Sequence, residues 1–214
     1  MIMPRTLSDE EVRAFRHRIR QVAERQFAEL GYAQVSLRTI TDELGCSRMT
    51  PYRYFKDKDE IFADVRTAAY DRFATAQERA ASDQEHPLDR LDALRQAYLA
   101  FAIEQPHAYR LMFGLSQPDP NLHPALRDAE ARAWAPIQQS VQAAVDASLL
   151  DGDPSLIAHA FWISVHGLVS LHLAGKLVYG ASIEDLSEPL RLQMRRGARP
   201  QDGAGSKDQP RKDR

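Results

Sequence analysis

The sequence predicts an all-α protein with a small N-terminal three-helix unit and a larger helical body. Three observations predict it. Apolar residues recur at spacings of three to five through most of the chain, with no competing stretch of period-two alternation. Helix starts carry Ser or Asp followed by acids in the next turn, as in Ser8-Asp9-Glu10-Glu11 and Asp57-Lys58-Asp59-Glu60. Breaks between the periodic stretches fall on Gly and Pro. At 214 residues, 43% hydrophobic and 27% charged, the chain has the composition of an ordinary globular protein. That excludes a mostly disordered chain, a collagen-like fibre and a membrane-embedded bundle.

The elements follow in order. Ser8 opens a helix whose apolar face is Val12, Phe15, Ile19, Val22, Phe27 and Leu30, and Gly31 stops it. Ser36 caps a short helix with Leu37, Ile40 and Leu44 facing inward, ended by Gly45. Ser47 can cap a third short helix from Arg48 to Phe55. Asp57 caps a long helix to Ala81, with Ile61, Val65, Ala69, Phe73 and Ala76 on one side. Pro87 stands at a first helical position ahead of Leu88, Leu91, Leu94, Tyr98 and Phe101. Pro106 closes that helix and opens a short one to Gly114. The proline-rich stretch from Ser116 to Pro124 reads as a loop. A helix from Ala125 to Leu150, expected to bend at Pro136, precedes a strongly apolar one that Asp153-Pro154 opens and that runs to Val178. Ser182 caps the last helix, to Arg196, and the polar stretch from Gln201 to Arg214 reads as a disordered tail. The expected domains are 8–60, 61–197 and the tail 198–214.

Charge is unevenly distributed. From Arg13 to Lys58 there are ten bases against five acids, +5, which leaves −7 on the rest of a chain whose net charge is −2. A basic first quarter on an acidic body suggests a local surface for a polyanion, although a solvated helix has the same signature. Within that quarter, Ser36 to Lys58 pairs an apolar-faced short helix with a polar, aromatic segment across a turn at Gly45. This is the sequence form of a helix-turn-helix, whose second helix enters the DNA major groove. Arg48 suits the two acceptors of guanine, and Tyr52 and Tyr54 can donate to phosphate oxygens. Lys58, at a helix start, also suits phosphate.

Gly31-Tyr32, Ser36-Leu37-Arg38-Thr39-Ile40, Gly45-Cys46-Ser47-Arg48 and Tyr52-Arg53-Tyr54-Phe55-Lys56-Asp57-Lys58-Asp59 together resemble the N-terminal signature of the TetR family of bacterial transcriptional regulators. The resemblance covers Arg13 to Phe62. It implies a homodimer whose three N-terminal helices bind operator DNA and whose helical C-terminal domain binds an inducer and the partner subunit. Phe161-Trp162-Ile163-Ser164-Val165-His166-Gly167 is similar to the Trp-x-x-x-His-Gly element of one C-terminal subclass, as is Gln105 to Phe113. Position by position, the resemblance makes Arg38 a DNA contact from the first short helix, and Arg48 and Met49 base-facing residues. Thr50 matches a phosphate position, Tyr52 and Tyr54 phosphate-and-groove positions, and Lys58 the backbone-phosphate lysine. Arg53 is counted with this DNA-binding set. The chain departs from the family pattern at Thr41, Cys46, Met49 and Pro51, and Pro51 removes a first-turn hydrogen bond.

The remaining candidates are weaker. Of seven histidines, His159 and His166 share a helix face, but no acids or cysteines stand beside them at zinc spacing, so no metal site and no cofactor are expected. Cys46, the sole cysteine, cannot form an internal disulfide and is expected to be a small buried hydrophobe. Leu156 to Val178 is interrupted by Ser164, His166, Ser170, His172 and Lys176, so a partner subunit rather than a membrane is expected to cover it. With the helix at 183–196, this segment is the expected homodimer interface. Tyr98, Phe101, Phe113, Trp134, Trp162 and His166 are the candidate contacts of an unidentified small-molecule effector, apolar or neutral because no basic cluster marks the body.

The reading is a repressor released from operator DNA by a ligand. The N-terminus, Met1-Ile2-Met3-Pro4-Arg5, lacks a secretory signal, and a cytoplasmic location is expected. A ligand-independent activator or architectural protein is the nearest alternative. An enzyme is disfavoured, because no nucleophile–base pair or glycine-rich phosphate loop is present.

Overall fold

The computed structural model describes residues 8–114 and 123–200, which are helical almost throughout. The helices are α1 (Asp9–Leu30), α2 (Leu37–Leu44), α3 (Lys58–Ser82), α4 (Pro87–Glu104), α5 (Pro106–Phe113), α6 (Pro124–Asp146), α7 (Pro154–Leu173) and α8 (Ile183–Gly197). Short 3-10 turns occupy Tyr32–Gln34 and Pro51–Arg53. Most of the loop expected at 116–124 and the tail at 201–214 lie outside the described residues.

The starts obey the capping chemistry expected of them. Ser8 accepts from the Glu11 amide at 3.2 Å while the Glu11 carboxylate accepts from the Ser8 amide at 2.8 Å, a closed capping box. Ser36 does the same with Thr39, and Asp57 accepts from the Glu60 amide at 2.9 Å. Gly45 ends α2 in the left-handed conformation, at φ 64° and ψ 34°, which a side chain would resist.

Three expectations about helix extent are corrected. No α-helix forms over 48–55; turns flank the single 3-10 turn Pro51–Arg53. Pro51 has no N–H to return to the Ser47 carbonyl, which instead accepts from the Thr50 amide at 2.8 Å, three residues on. The helix expected to reach Val178 ends at Leu173. There Gly175 turns left-handed at φ 62°, its amide bonds the His172 carbonyl and the Lys176 amide reaches back to Leu171, which together close a Schellman motif. Similarly, the helix expected to reach Leu150 ends at Asp146.

The described residues divide into two compact units. In the first, covering residues up to 84 and 93–136, α1 and α2 close over a core of Ile19, Ala23, Phe27, Val35, Ile40, Phe55, Ile61, Phe62, Val65 and Leu111. Phe27 and Tyr32 each meet the Phe62 ring nearly edge-on, at centroid distances of 4.8 and 5.0 Å. Further along α3, Phe73 packs edge-on against Tyr98 and Phe101, both at 5.2 Å. The Tyr98 and Tyr109 hydroxyls pair at 3.1 Å, and buried Tyr70 donates to the Met112 carbonyl at 2.9 Å. Burial pushes the Tyr70 phenol up to about 12. Arg66, 4% exposed, pairs with Glu130 at 2.9 Å.

In the second unit, residues 85–92 and 137–200, α7 lies against α8. Asp92 anchors α8 by accepting from Arg191 at 3.2 Å and pairing with Arg195 at 2.8 Å. Much of α7 stays uncovered: Leu156 is 71%, Ile163 62% and Leu171 49% exposed. Among the described residues it is the one helix long and apolar enough to cross a membrane. Ser164, His166, Ser170 and His172 set polar groups along it.

Candidate nucleic-acid interface

The turn after α2 is the site the fold presents. α2 is fixed on α1 by Gln26, a nearly buried amide. Its nitrogen donates to the Thr39 carbonyl at 3.1 Å and to the Glu43 carboxylate at 2.9 Å, and its oxygen accepts from the Thr39 hydroxyl at 2.8 Å. Arg25 also bonds Glu43. Hydrogen bonds from Gln26 first, then from Arg25, hold the Glu43 carboxyl below its ordinary range. Gln26 was not singled out from the sequence. Its signal was there: an amide standing beside Phe27 on the stripe of Ile19 and Ala23, where only a hydrogen-bonded polar group is tolerated.

From that mount the chain turns outward. The Met49 amide donates to Ser47 Oγ at 3.3 Å, the Arg53 amide to the Thr50 carbonyl at 3.1 Å, and the Tyr54 amide to the Pro51 carbonyl at 2.8 Å. Pro51 is buried and pins the turn to the head. Arg48, Met49, Tyr52 and Arg53 are exposed and Thr50 half-buried. Arg48, Arg53 and Lys56 are the charged residues between Cys46 and Lys56, with no acid among them. The result is a cationic, hydrogen-bonding knuckle. Arg38, on the exposed side of α2, pairs with Asp42 at 3.5 Å, a contact open to solvent on both sides.

Two residues of the expected set are partly committed inside the protein. Tyr54 is half-buried and packs on Phe15, centroids 5.0 Å apart. Lys58 Nζ donates to the Tyr32 and Val35 carbonyls at 3.0 and 3.1 Å and lies 4.0 Å from the centre of the Tyr32 ring. It ties the start of α3 to the segment before α2. Cys46 is half-buried, not buried as expected, because the backbone at the turn keeps it near the surface while Thr41 takes the buried position with its hydroxyl on the Arg38 carbonyl.

The body candidates divide between the units. Tyr98, Phe101 and Phe113 share the aromatic cluster of the first unit, Tyr98 and Phe113 with centroids 6.4 Å apart, and Trp134 lies on α6 of that unit. Trp162 and His166 belong to the second unit. They lie one turn apart on α7 with ring centroids 5.5 Å apart, and His166 Nε2 is 3.3 Å from Ser170 Oγ. Burial lowers the His166 imidazole below its ordinary value. Among the described residues no three His, Cys, Asp or Glu side chains gather as metal ligands would.

The model of bacterial regulatory proteins of the tetR family matches residues 19–65, the segment that carries this knuckle. A tetracyclin repressor-like C-terminal domain matches residues 91–196. The chain belongs to the TetR family. A relative in Mycobacterium tuberculosis, the HTH-type transcriptional regulator Rv1816, is 30% identical over 108 residues, 50% of this chain and 45% of that protein. The chain thus spans about half the length of the curated relatives it matches. Among solved structures, a protein of unknown function from Rhodococcus sp. RHA1 superposes with a TM-score of 0.76 at 24% identity, over 93% of this chain and 100% of that one. FadR from Bacillus subtilis, solved with stearoyl-CoA, superposes at 0.72 and 16% identity, over 85% and 98%. Both are likenesses of fold.

Proposed function

We propose that this TetR-family chain is a transcriptional repressor that reads operator DNA with Arg38, Arg48, Met49, Thr50, Tyr52, Arg53 and Tyr54 and leaves it when a small molecule binds the body. One observation carries the reading: the knuckle at 48–56 exposes three bases, two of them arginines, with no acid among them, on a head that has a buried apolar core of its own. Lys58 acts here as a clamp that places α3 against the reading turn, and its ammonium is released to phosphate only if those carbonyl bonds open. The functional division falls near residue 60, with 8–60 as the reading domain, 61–197 as the sensing and pairing body, and 198–214 as an appended tail.

The protein acts as a homodimer through α7 and α8, whose exposed apolar residues support an isologous interface. Such a dimer presents two knuckles to successive major grooves of duplex DNA, in the cytoplasm. Trp162, His166 and Gly167 support assigning the body to the Trp-x-x-x-His-Gly subclass. Tyr98, Phe101, Phe113 and Trp134 are effector contacts in the first unit. The stearoyl-CoA held by FadR joins a long apolar chain to an anionic headgroup, and only the chain supports the apolar effector proposed here. An effector can release DNA only by its different affinity for the two states.

Selection of bound fragments from a random duplex pool by the purified chain tests the reading. Enrichment of an inverted repeat, with half-sites roughly one helical turn apart, is the expected result. Enrichment of no sequence contradicts it.

A further inference from the structure

Residues 9–62 expose three large apolar or aromatic side chains, Leu30, Met49 and Tyr52, at 53%, 68% and 52%. Single exposed apolar groups are ordinary on protein surfaces. Met49 and Tyr52 are not scattered: they flank the buried Pro51 in the one turn that carries Arg48, Arg53 and Lys56. Tyr52 has a hydroxyl to give to a polar partner. Met49 has none, so its side chain contributes nothing to a surface whose other exposed groups are all donors.

The chemistry of the opposing surface resolves this. Cationic groups meet the phosphate walls of duplex DNA, and arginine and tyrosine donors meet acceptors on phosphates and base edges. The floor of the major groove offers a single apolar group, the C5 methyl of thymine. A thioether on three rotatable bonds can follow that methyl over small differences in docking. The backbone beneath it is held before any ligand arrives. The Met49 amide bonds Ser47 Oγ, the Thr50 amide bonds the Ser47 carbonyl, and Pro51 fixes its own φ. We infer that Met49 is a specificity-determining residue that reads thymine, one per half-site, through apolar contact with the base methyl. This rests on the DNA-reading function proposed above.

The experiment uses the full chain and the duplex that it enriches from a random pool. Each thymine in one half-site is replaced in turn by deoxyuridine, which removes the methyl and leaves every hydrogen-bonding group in place. Affinities are measured by fluorescence anisotropy for the wild type, Met49→Ala and Met49→Leu. At one thymine the wild type should weaken roughly fourfold, the worth of one buried methyl group. Met49→Ala should bind the thymine and deoxyuridine duplexes equally well, and Met49→Leu should keep part of the preference. Because Met49 is exposed, both variants should melt with the wild type. If no deoxyuridine substitution weakens the wild type, or if Met49→Ala discriminates as strongly as the wild type, the inference is overturned and the DNA-reading function stands. If the wild type enriches no duplex at all, both fall together.

Discussion

The N-terminal head and the α7–α8 hairpin use apolar residues in opposite ways. In the head, Ile19, Ile40 and Ile61 are fully buried, and what remains outside is mostly charged or hydrogen-bonding. On α7 and α8, Leu156, Ile163, Leu171 and Leu192 stand in the open. A surface of the first kind is complete once folded and has polar groups free for a polyanion. One of the second kind leaves apolar area in water at roughly 25 cal/mol per Å² until something covers it. The same chain thus carries one face suited to a charged partner and another suited to a copy of itself.

The contrast can be broken first at the head core. Phe27→Ala removes a ring in contact with Tyr32 and Phe62 and should destabilise the head by about 3–5 kcal/mol, read as a lower denaturant midpoint. A loss under about 1 kcal/mol would mean the head is not the tightly packed unit described here. Next comes the open face. Leu156→Glu with Ile163→Glu should weaken self-association on the order of a hundredfold or more, since a buried carboxylate is strongly disfavoured. Helical content should be unchanged, because neither residue is in the core. Sedimentation at micromolar concentration checks this, and a wild-type monomer there would remove the dimer.

The smallest effect concerns pH. His166 is held below its ordinary value of 6.5 by burial, so the folded chain binds its proton less readily than the unfolded chain. That group's contribution is intact above pH 6.5 and is lost as the pH falls from there toward the lowered value. Thermal melts of the wild type and His166→Gln should therefore converge or cross as the pH is lowered below 6.5. Parallel curves across the range would show that burial of His166 has no such consequence.

What could be read from the sequence was whatever local chemistry decides. Ser8, Ser36, Asp57, Asp153 and Ser182 all cap as their spacing implies, because each bond is made within a single turn. The turn after α2 falls where Gly45 implies, and the segment beyond it is a 3-10 turn at Pro51–Arg53, not the expected α-helix. Pro51 removes one bond, and in the structure no α-helical turn survives around it. Gly175 stops α7 inside an apolar run, where hydrophobic periodicity alone carries no stop signal. The partners of Lys58 and Gln26 lie up to 26 residues away, so only the fold could supply them. Residue type alone does not separate the core aromatics Tyr98 and Phe101 from effector contacts.

The most direct test of the central claim is the affinity of Arg48→Ala with Tyr52→Ala for the selected duplex, at fixed salt, beside its melting temperature. Both side chains are exposed, so the variant should melt with the wild type. Its binding should fall roughly a hundredfold or more, from lost contacts worth about 1–3 kcal/mol each. Binding within twofold of the wild type, by a folded variant, would show that the knuckle does not read DNA.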